Sequence, residues 1–153
     1  MNDQRLTVKE PIHPNWVAER AKCDIGRMFA DVCDLVKLDV ERMCAVIDHK
    51  ESESASYMFI RPRNKSHTCL VRRLCHLEEI GSCLFTYADD GIRVTRTEQA
   101  TPVSLTLRTH WNAEESRCLL VIDAPGKDAV VFPHDHLWKA IQYILEPFFF
   151  PPA

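Results

Sequence analysis

Residues 103–111, VSLTLRTHW, alternate apolar and polar side chains: Val103, Leu105, Leu107 and Trp111 fall on one side of an extended chain, and Ser104, Thr106, Arg108 and His110 on the other. A strand of that kind has one face on a core and one in water, which antiparallel sheets tolerate and parallel sheets do not. On its C-terminal side, CLLVI at 118–122 is apolar on both faces, as expected of a central strand or of one covered on both sides, and a helix is expected to lie over it. On its N-terminal side the period of two persists back to Tyr57. The predicted strands are 57–61, 67–74, 82–87, 91–97, 102–111, 117–123 and 129–132. ADDG at 88–91 reads as a hairpin turn in which Gly91 takes positive φ, and PG at 125–126 as a second turn. Strands so closely spaced form an antiparallel meander.

Helical periods flank the strands. Ile25, Phe29, Val32, Val36, Val40, Met43 and Ile47 advance in steps of four and three, which keeps them on one face of a helix, with Asp31, Asp34, Lys37 and Glu41 opposite. Asn15 is placed to cap a helix beginning at Trp16. Gly26 weakens the helix, so a break with Asp24 capping the second part is expected, and the polar run at 48–56 ends it. After the strands, Leu137, Ile141, Ile144, Leu145 and Phe148 restore the helical period. In FPHDHLWKAIQ, residues 132–142, Pro133 ends the last strand and Asp135 supplies an N-cap, while Pro147 marks the end of the helix. The expected fold is α+β: a long N-terminal helix, a multi-stranded antiparallel sheet of about seven short strands, and a C-terminal helix packed on the sheet. Residues 1–14, with Pro11 and Pro14, read as an extended or disordered arm, and 15–153 as one domain.

Composition bounds the class. With 46% hydrophobic and 27% charged residues and only four glycines, the 153-residue chain fits a soluble globular protein and excludes collagen-like and low-complexity chains. No apolar run approaches the roughly 18 residues of a membrane span, and the N-terminus lacks an apolar export signal, so a cytoplasmic protein is expected. Seven cysteines, odd in number, widely spaced and without a C-x-x-C pair, read as reduced thiols that behave as small hydrophobes. No cofactor is expected.

Four stretches could carry function. His134 and His136 could ligate a metal, as in a metal-dependent enzyme, but two residues apart they share a face only on a strand, and a site needs at least three converging ligands. Cys75 and His76 are adjacent and therefore point apart, a poor nucleophile and base; no catalytic residue is assigned. Residues 57–73 hold five positive charges and no acid. Arg61, Arg63, Lys65, Arg72 and Arg73, with Arg93 and Arg108, could make a sheet surface that neutralises phosphates, but the polar strand face lacks the aromatic rings on which bases stack. Finally, EPFFFPPA carries Phe148, Phe149 and Phe150, which cannot all enter one core from an irregular tail. With Trp138 they suggest a contact surface. The leading expectation is a non-catalytic interaction module, self-associating or meeting a protein partner through these residues or through an exposed strand edge; the alternative is a nucleic-acid-binding protein. No membrane partner is expected.

Overall fold

The computed structural model describes residues 15–48, 55–63, 67–98 and 101–151. The expected arm at 1–14 lies outside the described residues. Helix α1 (Trp16–Lys22) begins where Asn15 Oδ1 accepts the Ala18 N–H at 3.1 Å, satisfying one of the amides a helix start leaves open. The chain then breaks, and Asp24 Oδ1 accepts the Gly26 N–H at 2.8 Å to open α2 (Ile25–Asp48). Along α2, Phe29, Val32, Val36 and Val40 are buried, with Ile25, Met43 and Ile47 packed at the margin of the same core.

Seven strands follow, β1 (Ala55–Ile60), β2 (Thr68–Cys75), β3 (Glu78–Ala88), β4 (Gly91–Glu98), β5 (Thr101–Asn112), β6 (Arg117–Asp123) and β7 (Val130–Pro133), before α3 (Leu137–Phe149). They form one sheet in sequence order, each strand antiparallel to the next. Gly91 has φ +150°, and a Cβ there would lie 2.7 Å from the Leu107 carbonyl oxygen, so the β4–β5 register needs glycine at that point. Strand β3 starts four residues earlier than the alternation suggests, because His76 and Leu77 close a two-residue hairpin with β2. Their φ values of +52° and +69° give the twist such a hairpin needs, at a steric cost for side-chain-bearing residues. Leu77 is 92% exposed, so no packing offsets that cost. Leu77→Gly should therefore raise stability by about 1 kcal/mol, read as a higher urea midpoint at constant slope; an unchanged or lower midpoint would refute the assignment of strain.

Both long helices lie on one face of the sheet. The core joins Val32 and Val36 of α2 and Ile141, Ile144 and Phe148 of α3 to Val71, Phe85, Val94, Leu107, Leu120 and Ile122 of the strands. The opposite face carries Ser82, Thr86, Thr95, Ser104 and Thr106, which are exposed or half-buried. Of the two readings of 118–122, the interior strand is the one found: β6 lies inside the sheet, and the helices cover only the face that carries Leu120 and Ile122. Val121 lies on the face away from them and is screened at the level of the sheet, with Arg108 and Val131 as its cross-strand partners.

Three further expectations are corrected. After Pro133, which is extended, residues His134–His136 make a single 3-10 turn, so the cap position of α3 falls at His136 without a side-chain cap bond; Asp135 sits in the first turn and does not cap. The tight turn delays the α-helical start by one residue, from His136 to Leu137. Pro147 does not end α3, which runs on to Phe149. Burial of Phe148 holds the last turn, Arg96 Nη1 donates to the Ile144 carbonyl at 2.8 Å, and the Phe150 N–H donates to the Glu146 carbonyl at 2.8 Å. Finally, Cys23 and Cys118 form a disulfide between the α1–α2 junction and β6, so these two are not thiols. They are 95 residues apart in sequence, and only the folded chain brings them together. Cys33, Cys44, Cys69, Cys75 and Cys83 remain outside any disulfide.

Candidate interaction surface

Helices α2 and α3 each carry a second apolar stripe beside the one they bury in the core. On α2, Leu35 and Val46 lie on one side of the core stripe, next to Met43 at its margin; on α3, Trp138 and Phe149 lie beside the buried Leu145, and Phe150 follows at the helix end. Because the two helices lie side by side, these stripes meet along a groove of about 370 Å³ lined by Leu35, Met43, Val46, Trp138, Leu145, Phe149 and Phe150. Around it stand large rings and aliphatic groups in water: Trp138 is 51% exposed, Val46 49% and Phe150 62%. Scattered apolar residues are ordinary on a surface, whereas here they form a contiguous set around a concavity.

The rim of the groove is polar and carries both signs. Asp39 and Arg42 pair on the α2 side at 3.5 Å, and Gln142 donates to Glu146 at 2.9 Å on the α3 side. Burial in the groove holds the Asp39 carboxyl above its usual range, an effect partly offset by Arg42.

Of the four residues expected to meet a partner, the structure brings Trp138, Phe149 and Phe150 to this groove and assigns Phe148 elsewhere. Phe148 is fully buried in the core, edge-to-face with Tyr57 at 5.8 Å, and is a packing residue. Sequence reasoning did not single out Leu35 and Val46, because the core stripe of α2 dominates its periodicity, and it placed Met43 in that core stripe alone.

The basic residues are dispersed. Arg72, Arg93 and Arg108 lie on the helix-free face, and each meets a carboxylate: Glu79 at 3.0 Å, Asp90 at 3.5 Å and Asp123 at 2.6 Å respectively. Arg73 points to the opposite face with its guanidinium 6.0 Å above the Tyr57 ring, and Arg61 stacks 5.9 Å over Phe29 at the end of β1. Arg63 is exposed beyond β1, and Lys65 lies outside the described residues. The structure thus divides the set between two faces. His134 borders a shallow depression with Asp31, Asp34 and Asp135, whereas the His136 ring lies 6.2 Å from that of Trp138, and among the described residues no group of three His, Cys, Asp or Glu side chains is arranged to hold a metal ion.

A cleft of about 600 Å³ on the other flank of α3 contains Arg96, Lys127 and Tyr143, but the Arg96 guanidinium is engaged with the Ile144 carbonyl and serves to tether the helix. In the core, the Cys69 thiol hydrogen-bonds Cys33; that bond lowers the Cys33 thiol, whereas the same bond and burial push Cys69 up. Both are sealed from solvent and act as packing. Among the described residues no helix is long and apolar enough to cross a membrane. Comparison with protein-family models, with curated proteins and with solved structures gave no significant match.

Proposed function

We propose that the protein is a non-catalytic interaction module that self-associates through the α2–α3 groove. The observation that carries this reading is that one surface presents both a projection and a recess: Trp138 and Phe150 stand proud beside the groove that their own neighbours line. A two-fold interface requires such self-complementarity, because residue i of one copy meets residue j of the other and the reverse. The rim has the matching property. Arg42 on the α2 side of one copy would face Glu146 on the α3 side of the next, and the stacked helix pairs would make a four-helix layer.

Buried tryptophan is the residue type that most often dominates such contacts, with losses of about 2 kcal/mol or more on truncation. Trp138→Ala should accordingly weaken the dimer about thirtyfold or more, read by light scattering across a dilution series. Arg42→Glu should weaken it by repulsion against Glu146, and Glu146→Arg introduced with it should restore association. A chain that stays monomeric at all concentrations, or a dimer indifferent to Trp138→Ala, would overturn the proposal. The nucleic-acid reading has less support, since phosphates would have to displace Glu79, Asp90 and Asp123 from the sheet-face arginines.

A further inference from the structure

Strand β5 outruns its neighbour. It spans Thr101–Asn112, but its pairing with β6 begins only at Thr106, opposite Asp123, so among the described strands Thr101–Leu105 have a partner on the β4 side alone. The direction of the backbone groups follows from Gly91. The Leu107 carbonyl oxygen lies 2.7 Å from where a Cβ on that residue of β4 would sit, so Leu107 faces β4. Peptide groups alternate along a strand, which turns the N–H and C=O of Ser104 the other way, into the lane that β6 leaves at Asp123. The β6–β7 connection turns on itself, the Lys127 N–H donating to the Ala124 carbonyl at 3.2 Å, and among the described residues no backbone hydrogen bond from it reaches Ser104.

The cleft of about 600 Å³ occupies this lane. Its walls include Val103 and Ser104 of β5, Ala124 and Pro125 at the end of β6, and Tyr143 and Pro147 of α3. Val103 lies on the face that carries the core and is nevertheless 40% exposed, so α3 leaves it uncovered. The volume and the largely apolar walls are those of a ligand site. The lane is closed at Asp123, where β6 itself stands, so an extended chain that enters from the Thr101 end must terminate there. Lys127 lines the cleft at that closed end and forms no ion pair among the described residues. Arg96 adds a second positive charge while tethering the Ile144 carbonyl, and Glu146 on the α3 wall accepts from Gln142 at 2.9 Å.

We infer that this lane takes the C-terminal end of a partner protein: an extended tripeptide parallel to β5, apolar at its last and third-last residues, with its free carboxylate on Lys127. Closure at Asp123 calls for a chain end, and the positive charge there selects a carboxylate over an ammonium. In parallel pairing the Ser104 N–H donates to the carbonyl of the third-last residue, and the Ser104 carbonyl accepts the N–H of the last. The side chains of those two residues then fall on the helix face, beside Val103 and Leu105. The penultimate side chain points with Ser104 to the helix-free face and is polar. This chain's own end, alanine after two prolines, offers too little side chain to fill the cleft. Helix α3 stands between this site and the α2–α3 groove.

The test uses the full chain and a library of random heptapeptides displayed with free C-termini, followed by synthesis of the enriched peptide. The expected peptide is apolar at its last and third-last positions. It loses affinity about tenfold or more when its carboxylate is amidated, and similarly against Lys127→Glu, while Trp138→Ala leaves binding unchanged. In the free protein the Ser104 amide should exchange hydrogen faster than that of Leu105, which faces β4, and bound peptide should slow it. Failure to enrich any peptide, binding indifferent to both amidation and Lys127→Glu, or a Ser104 amide already protected in the free protein would each overturn the inference. Binding lost in Trp138→Ala would move the peptide to the α2–α3 groove and overturn it too, as would a dimer that dissociates when residues 152–153 are removed, which would give the cleft to the chain end of a second copy.

Discussion

Replacing Phe148 with alanine is expected to cost about 4 kcal/mol and to lower the melting temperature by roughly 8–16 °C. The three consecutive phenylalanines make this an internally controlled experiment. Phe148 is fully buried against Tyr57 and contributes through area, cavity formation and an edge-to-face ring contact. It also holds the last turn of α3, where Pro147 has removed a backbone donor, so its loss should release the helix end that Tyr57 tethers through the Phe149 carbonyl at 3.3 Å. Phe149, half-buried with its ring 5.1 Å from Tyr57, should lose an intermediate amount. Phe150, mostly in water, should change the monomer by no more than about 0.5 kcal/mol. Urea unfolding of the three alanine variants at low concentration, where association does not contribute, reads the order directly. If Phe150→Ala cost as much as Phe148→Ala, the assignment of one ring to the core and the other to the surface would be wrong.

This division also shows what the sequence could and could not reveal. Local signals were legible: VSLTLRTHW alternates because Leu105 and Leu107 enter the core while Ser104, Thr106 and Arg108 line the helix-free face, and Asn15 and Asp24 cap because cap chemistry acts within three residues. Where two local rules competed, the outcome depended on distant packing. Proline ends most helices, yet Pro147 is carried inside α3 because Phe148 is buried from both the sheet and Tyr57. Asp135 is a good capping residue, but the extended Pro133 and a 3-10 turn moved the cap position beyond it. The arginines of 61–73 look like one patch in sequence, whereas alternation sends Arg72 and Arg73 to opposite faces, and carboxylates brought from other strands or turns neutralise those on the open face. The α2–α3 groove was half legible: Trp138 and the terminal rings were visible as surplus apolar surface, but the α2 side of the groove was hidden within a helix already explained by its core stripe.

Breaking the Cys23–Cys118 disulfide should cost about 4 kcal/mol, because the bond closes a loop of 95 residues in the unfolded chain. The loss should be strongly non-additive: Cys23→Ala and Cys118→Ala each remove the whole constraint, so the double variant should be little worse than either. The structural effect should concentrate in α1, which buries none of its own residues. Besides the disulfide, the Thr109 hydroxyl donating to the Cys23 carbonyl at 2.8 Å and the Arg20 guanidinium 5.6 Å over Trp111 hold this segment to the sheet. Reduction with a dithiol such as dithiothreitol should therefore accelerate hydrogen exchange in α1 far more than in α2, whose buried stripe does not depend on the bond. The same experiment bears on where the protein works. A cytoplasmic setting, expected from the N-terminal sequence, keeps such bonds reduced, so the disulfide and that expectation pull in opposite directions. Intact mass before and after thiol alkylation decides between them: protein isolated with both cysteines blocked by the bond, and with a melting temperature that falls on reduction, places the folded state in an oxidising environment, whereas seven alkylated cysteines and no effect of dithiol would show that α1 holds without it.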